Sequence, residues 1–236
     1  MKENARSKEG RGWGITWSGV RKYIAHGRAV QRLAARCGWY PAARYTNLRD
    51  IRKVTFRKVG FLDIHWKQYN FKRHLESVRD ALPLITVARD IESIWDTDTI
   101  LREAEALARY AKLVVIVPKD RRLARKLDVL IPREYLLGYS VPTSYGGTSI
   151  APERFTRPVH LLGGRPDVQR RLGALMPVVS LDCNRFTVDA MFGKYFDGQG
   201  FRRHPRGGYE RCLTDSIRNI DGLWLDYRRA SPAMET

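Results

Sequence analysis

Residues 157–184 read RPVHLLGGRPDVQRRLGALMPVVSLDCN, and this stretch decides the fold class. It holds two apolar runs, Pro158–Leu162 and Pro177–Leu181, separated by a Gly-Gly turn and a short polar segment of helical character. A strand, a turn, a helix and a second strand form a parallel β/α unit. Functional side chains of such units lie where the carboxyl end of a strand meets the loop, which is the position of Asp182. Its carboxylate is either a catalytic group or a helix N-cap, and caps are the more frequent use of Asp.

The charge balance is the outlying feature of the composition. The 236 residues include 43 Lys or Arg and 25 Asp or Glu, a net charge of +18, while 43% of residues are hydrophobic. The apolar content is that of a globular protein with one sizeable core or two small ones. The positive charge favours a polyanionic partner, most simply nucleic acid. An anionic membrane surface is the lesser option, because no basic amphipathic helix with a clean apolar face stands out.

Several classes of protein are disfavoured by what the sequence lacks. No run approaches the roughly 18 apolar residues of a membrane span, and the first residues lack the apolar core of a secretory signal. The cysteines, at positions 37, 183 and 212, show neither a disulfide framework nor metal-ligand spacing. The histidines lack the spacing of a helix-borne metal site, and His160 is interpreted as a core or pocket histidine. We expect a reduced, cytoplasmic protein without metal, and no membrane partner.

The N-terminal quarter carries most of the charge. Residues 1–58 contain fifteen Lys or Arg and three acidic residues, a net +12. Trp17–Arg36 has helical spacing interrupted by Gly27, so it is one helix or two short ones. Its basic residues are either a solvated face or contacts to a nucleic-acid backbone, and the interleaved aromatic residues favour the second. The predicted contacts are Arg28, Arg32 and Arg36.

From residue 59 onward, strand and helix patterns alternate, with six or seven strands in all. The predicted strands are Val59–Ile64, Pro83–Ala88, Leu113–Val117, Tyr135–Val141 and the two apolar runs above. The predicted helices include Phe71–Leu82, Asp98–Ala111 and a short basic one at Arg121–Lys126. Neither G-x-G-x-x-G after the first strand nor a P-loop motif occurs, which argues against the usual nucleotide-binding folds. We predict an α/β protein with two parts: a basic, partly helical N-terminal extension (1–58) and a compact or incomplete (β/α)₈ TIM-like barrel (59–236).

Polar residues end several of the predicted strands: Asp63, Asp90, Lys119, Ser140 and Asp182. In a barrel these ends surround one mouth, so three carboxylates would converge on one pocket. A helix cap is the commoner role for any single Asp, but three at strand ends are harder to explain in that way. The loop Gly138–Ile150 reads GYSVPTSYGGTSI. It is either an ordinary turn or a loop that encloses a planar ligand, with the rings of Tyr139 and Tyr145 against the ligand.

Six segments, in this order along the chain, resemble the DNA 7-deazaguanine transglycosylases. They are FLDIHW, LITVARD, VVIVPKD, GYSVPTSYGG, VHLLGG and VVSLDCN, within about Val59 to Tyr195. These enzymes form a small phage and archaeal-virus branch of the tRNA-guanine transglycosylase-like superfamily. The C-x-C-x-x-C zinc cluster of the tRNA enzymes is missing, which argues against a tRNA substrate. The D-S-G-G-F motif of the family is replaced by Asp63-Ile64-His65-Trp66-Lys67.

The resemblance implies a glycosyltransferase that replaces guanine in DNA by a 7-deazaguanine base, without a cofactor. It implies that Asp182 is the nucleophile, that Asp63 assists the exchange and that Asp90 binds the pyrimidine edge of the base. Further base-binding candidates are Gly146, Gly147, Tyr139 and Ser140, and Lys119 is a candidate contact to nucleic acid. The expected partners are double-stranded DNA and the free base, in the host cytoplasm if the protein is viral. Two alternatives stay open: a non-catalytic nucleic-acid-binding protein of the same fold, and an N-glycosidase in which water completes the reaction.

Overall fold

The computed structural model describes residues 19–49, 59–144 and 146–227, and these form a closed barrel of eight parallel strands. Each strand pairs with the next along the chain, and the eighth pairs with the first. The strands are β1 (Arg21–Ala25), β2 (Tyr40–Arg44), β3 (Phe61–Asp63), β4 (Ile85–Val87), β5 (Leu113–Ile116), β6 (Leu136–Ser140), β7 (Val159–Leu162) and β8 (Val178–Asp182). The predicted TIM-like (β/α)₈ class is thereby confirmed. An antiparallel ribbon of β9 (Lys194–Phe196) and β10 (Phe201–Arg203) follows the barrel.

Helices connect the strands and cover the barrel. They are α1 (Arg28–Arg36), α2 (Phe71–Ala81), α3 (Thr97–Leu107), α4 (Leu127–Leu130), α5 (Pro166–Leu172), α6 (Arg185–Met191) and α7 (Tyr209–Leu225). Short 3₁₀ turns lie at Trp66–Gln68, Ile94–Asp96, Arg121–Leu123 and Pro152–Arg154. Within the described ranges, no helix has both the length and the apolar content required to cross a bilayer.

The ends of the described chain are joined by one carboxylate of α7. Asp221 accepts a hydrogen bond from the indole N–H of Trp39 at 2.9 Å and forms an ion pair with Lys22 of β1 at 2.7 Å. The last helix also packs against α1, α5 and α6. The first β/α unit is therefore part of the barrel wall and is held there by the C-terminal helix.

This arrangement corrects the prediction of an N-terminal extension. Residues 19–49 supply β1, α1 and β2, so the described part of the predicted helical segment, residues 19–36, is a strand followed by a helix. The helical spacing is overridden because β1 satisfies its backbone groups by pairing with β2 on one side and β8 on the other. The barrel has eight strands, and the two that were not predicted are β1 and β2. The predicted boundary at residue 58 and Tyr145 lie outside the described residues.

Elsewhere, apart from one basic helix, the predicted elements correspond to observed ones whose bounds differ by a few residues. Helix α2 begins where the Asn70 side chain accepts a hydrogen bond from Arg73 N–H at 3.0 Å, and it ends before Leu82, whose φ of 45° is left-handed. The predicted basic helix at Arg121–Lys126 is wrong, because only Arg121–Leu123 is helical and it is a 3₁₀ turn. The cap of that turn is Asp120, which accepts a hydrogen bond from Arg122 N–H at 2.9 Å.

Aromatic rings fill the interior of the barrel. Tyr23 of β1, Phe61 of β3 and His160 of β7 are fully buried, and their ring centroids lie 4.8 to 6.0 Å apart. They come from alternate strands, as expected for one layer of a (β/α)₈ barrel. The interior is therefore packed, and the mouth at the carboxyl ends of the strands has an aromatic floor.

Candidate active site

Asp182 ends β8 at the mouth of the barrel and is held by its surroundings. It is 7% exposed, and its Oδ1 accepts a hydrogen bond from Gly163 N–H at 2.9 Å. Gly163 has a φ of 62°, a left-handed conformation that glycine adopts without strain. The amide of Gln169 donates to the carbonyl oxygens of Gly163 and Asp182 at 2.7 and 2.8 Å. These bonds fix the loop after β7 against the end of β8, which orients the carboxylate.

His160 lies beside this carboxylate from within the barrel. Its Nδ1 is 2.8 Å from Ser180 Oγ, and its Nε2 is 3.8 Å from Asp182 Oδ1. Within the described part of the chain, Nε2 is buried without a hydrogen-bond partner. The sequence predicted a core or pocket histidine at this position. His160 has features of both, because its ring is buried in the barrel and its Nε2 faces the carboxylate of Asp182.

Asp63 ends β3 and interacts with Asp182. Burial, and next to it the negative charge of Asp182, raise the pKa of Asp63 to about 7. The N–H of Ile64, which donates to Asp63 Oδ1 at 2.8 Å, and the charge of Arg44 act in the opposite direction. Arg44 ends β2 directly opposite Asp63 in the strand register. Two carboxyl groups that share a site, one of which holds its proton up to neutral pH, can serve as an acid and a nucleophile.

Asp90 follows β4, and its charge is a further, smaller cause of the raised pKa of Asp63. Its Oδ2 is 2.7 Å from the ammonium of Lys119, which also contacts Glu92 Oε1 at 2.9 Å. Burial raises the pKa of Asp90, and this effect exceeds the opposing pull of Lys119. Burial lowers the pKa of Lys119, but Asp90 and Glu92 outweigh it and the net direction is upward. The mouth thus presents a carboxylate and an ammonium side by side.

The loop after β6 is folded back onto the barrel. Ser140 N–H donates to Thr148 Oγ1 at 3.0 Å, and Thr148 N–H donates to Ser140 O at 2.8 Å. Gly147 passes so close to Pro142 that a Cβ there would lie 2.6 Å from Pro142 Cα. Gly146 closes a turn with Thr143 and is exposed. Ser140 and both glycines therefore lie in one compact loop at the mouth.

Tyr139, predicted to bind the base, packs away from the mouth. A Cβ at its neighbour Gly138 would meet the barrel-facing side chains of Val115 and Leu162, so position 138 faces inward and position 139 outward. The Tyr139 ring is buried edge-on against Phe155, with centroids 5.1 Å apart. The period of two along β6 is the physical reason why Tyr139 cannot face the mouth together with Ser140.

The three arginines predicted to contact nucleic acid lie on one exposed face of α1. Arg28, Arg32 and Arg36 are four residues apart, and all three are exposed. Since α1 runs antiparallel to the strands it connects, Arg28 is the one nearest the mouth. Lys119, the fourth predicted contact, instead has its ammonium within the mouth between Asp90 and Glu92.

Three residues that support the site were missed from the sequence. Arg44 was missed because β2 was not recognised as a strand, although the Tyr-Pro-Ala-Ala-Arg run ends in a charge as the other strands do. Gly163 belongs to the Gly-Gly turn after the first apolar run, and such a turn indicates a left-handed backbone but not a hydrogen bond to Asp182. Gln169 gave no signal, because a Gln in a polar helix is indistinguishable from a surface residue. In the described part of the chain, no group of three or more His, Cys, Asp or Glu is placed to hold a metal ion.

Comparison with known proteins supports the fold and supplies a family. The YdjI aldolase of Escherichia coli K12 is a solved structure that superimposes with a TM-score of 0.51, over 89% of this chain and 92% of that one. The two chains are 11% identical, so this likeness concerns the fold alone. No curated protein matches the sequence. The model of one family matches residues 34–225, which include β2 to β8 and all three aspartates of the mouth, and the chain therefore belongs to the family of unknown function DUF6610.

Proposed function

We propose that this protein is a glycosyltransferase that exchanges guanine in DNA for a 7-deazaguanine base. The proposal is carried by two carboxyl groups at strand ends: burial and the charge of Asp182 raise the pKa of Asp63 to about 7, while Asp182 is anchored through one oxygen. Double displacement at a glycosidic carbon needs a nucleophilic carboxylate and a second carboxyl group that changes between acid and base. The net charge of +18 supports a nucleic-acid substrate.

In the first half-reaction, Asp182 acts as the nucleophile. Its Oδ1 is engaged by Gly163, so Oδ2 attacks C1′ of the deoxyribose while the bond from C1′ to the guanine nitrogen breaks. The leaving guanine takes the bonding electron pair and receives the proton of Asp63. The products are a covalent ester between Asp182 and the sugar, free guanine and the Asp63 carboxylate.

In the second half-reaction, the incoming base regenerates the glycosidic bond. The Asp63 carboxylate removes the ring N–H proton of the 7-deazaguanine, whose nitrogen attacks C1′ as the ester bond to Asp182 breaks. Asp63 ends protonated and Asp182 ends as a carboxylate, so the site returns to its starting state. Two inversions at C1′ retain the configuration of the nucleoside.

The Asp90–Lys119 pair has the chemistry to recognise a guanine edge. Guanine and its 7-deaza analogues present a carbonyl acceptor beside two donors, N1–H and the 2-amino group. Asp90 can accept from the two donors, and Lys119 can donate to the carbonyl, because each carboxylate oxygen accepts more than one hydrogen bond. In adenine, an amino donor would face the ammonium of Lys119, and the lone pair of the unprotonated N1 would face the carboxylate of Asp90, so both contacts would be unfavourable. We therefore expect guanine-type bases to exchange and adenine to be rejected.

The second candidate is an N-glycosidase, since the same carboxyl pair could direct water to C1′ in place of a base. One experiment separates the two and also tests for catalysis of either kind. Purified protein is incubated with DNA that contains isotopically labelled guanine, with and without a 7-deazaguanine base, and the nucleosides are analysed by mass spectrometry. We expect labelled guanine to be released and a 7-deazaguanine nucleoside to appear in the DNA only when the base is supplied. Abasic sites in the DNA, with no 7-deazaguanine nucleoside, would establish hydrolysis. Intact DNA under all conditions would exclude both reactions.

A further inference from the structure

Two exposed tryptophans lie in the loops that leave the mouth of the barrel. Trp66 follows Asp63 by three residues and is 59% exposed, and Trp95 follows Asp90 by five and is 82% exposed. Both loops extend from the carboxyl ends of neighbouring strands, β3 and β4. We call Trp66 and Trp95 the rim tryptophans. Neither belongs to the core, and the exchange chemistry described above uses neither.

The backbone that carries Trp95 is fixed. Ile94 N–H donates to Asp120 Oδ2 at 2.7 Å, which joins the loop after β4 to the loop after β5. Thr97 Oγ1–H donates to Ile94 O at 2.7 Å. Asp120 is held in turn by the guanidinium of Arg122, and the same guanidinium carbon lies 5.7 Å from the Trp95 ring centroid.

The backbone that carries Trp66 is fixed as well. The Tyr45 hydroxyl donates to Gln68 O at 3.1 Å and accepts from Asn70 N–H at 3.0 Å. The ammonium of Lys67 lies 5.3 Å from the Trp66 ring centroid. Each rim tryptophan is thus an aromatic face on an ordered loop, with a cation beside it.

Such faces fit unstacked nucleic-acid bases. Aromatic side chains stack on bases of any sequence, and cations next to them add to the attraction. The reaction requires its target nucleotide to leave the duplex, which deprives the neighbouring bases of a stacking partner. Because Asp120 already balances the charge of Arg122, the Trp95 site offers a stacking surface more than a phosphate contact.

We propose that the rim tryptophans stack on the unpaired bases that flank the target nucleotide, so that the protein binds single-stranded or locally opened DNA at the mouth. This inference rests on the proposed function for its choice of nucleic acid. The overall charge of +18 favours that choice over an apolar protein partner.

The test is the affinity of the full-length protein for a fluorescently labelled single-stranded oligonucleotide at several salt concentrations. The variants are Trp66→Ala, Trp95→Ala and the two Trp→Phe substitutions. The matched control is Phe192→Ala, an aromatic residue that is 72% exposed but lies beyond α6, away from these loops. We expect each alanine variant to bind roughly 5- to 100-fold more weakly. We further expect phenylalanine to restore most of the affinity, and the slope of log Kd against log salt to stay unchanged, since no phosphate contact is lost.

Asp182→Asn protein separates this inference from the proposed function. Its affinity for the oligonucleotide should fall by the same factor when a rim tryptophan is replaced by alanine, whether or not the wild type exchanges bases. Wild-type affinity in both alanine variants would overturn the stacking role even if exchange is observed, and would leave a protein partner as the occupant of this surface. A flattened salt slope in the alanine variants, or an equal loss in Phe192→Ala, would overturn it too.

Discussion

The mouth of the barrel and the outer face of α1 both carry charged residues that stand out in the sequence, yet their surroundings differ. In the mouth, burial and mutual repulsion change the proton affinity of Asp63, and Gly163 and Gln169 fix the orientation of Asp182. On α1, the three arginines are exposed and four residues apart. Charges of the first kind can perform chemistry, because a desolvated group interacts strongly with its neighbours. Charges of the second kind act through screened, additive attraction.

The largest expected effect is that of Asp182→Asn in the mouth. Removing the nucleophile should lower the exchange rate by several orders of magnitude, while the amide oxygen can still accept from Gly163 N–H. The measurement is incorporation of labelled guanine into DNA, with DNA affinity as the control for folding. Asp98→Asn, at the exposed start of α3, is the matched substitution and should keep full activity. Near-normal exchange by Asp182→Asn would remove the mouth from the mechanism.

Asp63→Asn should lower the exchange rate by less than Asp182→Asn does, roughly 10²- to 10⁴-fold, because it removes only the proton transfer. In the wild type, exchange should decline as the pH rises through about 7, where Asp63 loses its proton. The variant should lack this decline in its residual rate. A wild-type rate that is flat from pH 6 to about pH 8.5 would contradict the assignment of Asp63 as the acid.

Asp63→Asn should also stabilise the folded protein near and above neutral pH. The pKa of Asp63 is raised on folding from 3.8 to about 7, so between these values the native state binds more protons than the unfolded state and stability falls as the pH rises. This rise in the pKa corresponds to an upper bound of about 4 kcal/mol in the free energy of unfolding. We expect Asp63→Asn to have a higher Tm than the wild type at pH 8 and a similar one at pH 4. A lower Tm at pH 8 would show that the carboxylate is stabilised where it lies.

Asp90→Ala should weaken binding of the free base more than binding of DNA. The loss of a charge-assisted pair corresponds to about 2–3 kcal/mol, or roughly 30- to 150-fold in affinity. Asp63→Ala is the comparison, because the altered D-S-G-G-F motif around Asp63 leaves the role of this residue open and makes it a second candidate for the contact to the base. Calorimetric titration of both variants with a 7-deazaguanine base decides between them. If only Asp63→Ala loses base affinity, the two roles must be exchanged.

The smallest effect is expected from substitutions on α1, where each exposed charge contributes separately to the attraction of DNA. Replacing Arg28, Arg32 and Arg36 by Ala should flatten the slope of log Kd against log salt for duplex DNA by up to about three, without changing the exchange rate at saturating DNA. Arg28→Ala alone should account for the largest share, because it lies nearest the mouth. A triple variant with the wild-type slope would show that this face of α1 is only solvated.

The sequence by itself determined the barrel class and six of its strands, because buried strands such as Leu113–Ile116 and Val178–Asp182 lie in apolar runs that a polar residue or Pro-Lys ends. It also predicted that Asp63, Asp90 and Asp182 lie at or just after strand ends, which in a parallel barrel share one mouth, whereas their catalytic and base-binding roles stay predictions.

Only the tertiary structure decided the rest. Strand β1 has helical spacing and is a strand because it pairs with β2 on one side and with β8 on the other, which closes the barrel. Tyr139 faces outward because register, not residue type, sets the direction of a side chain. The difference between Asp63 and an ordinary carboxylate arises from burial and from the charge of Asp182, which lies 119 positions away along the chain but acts on Asp63 in the folded protein.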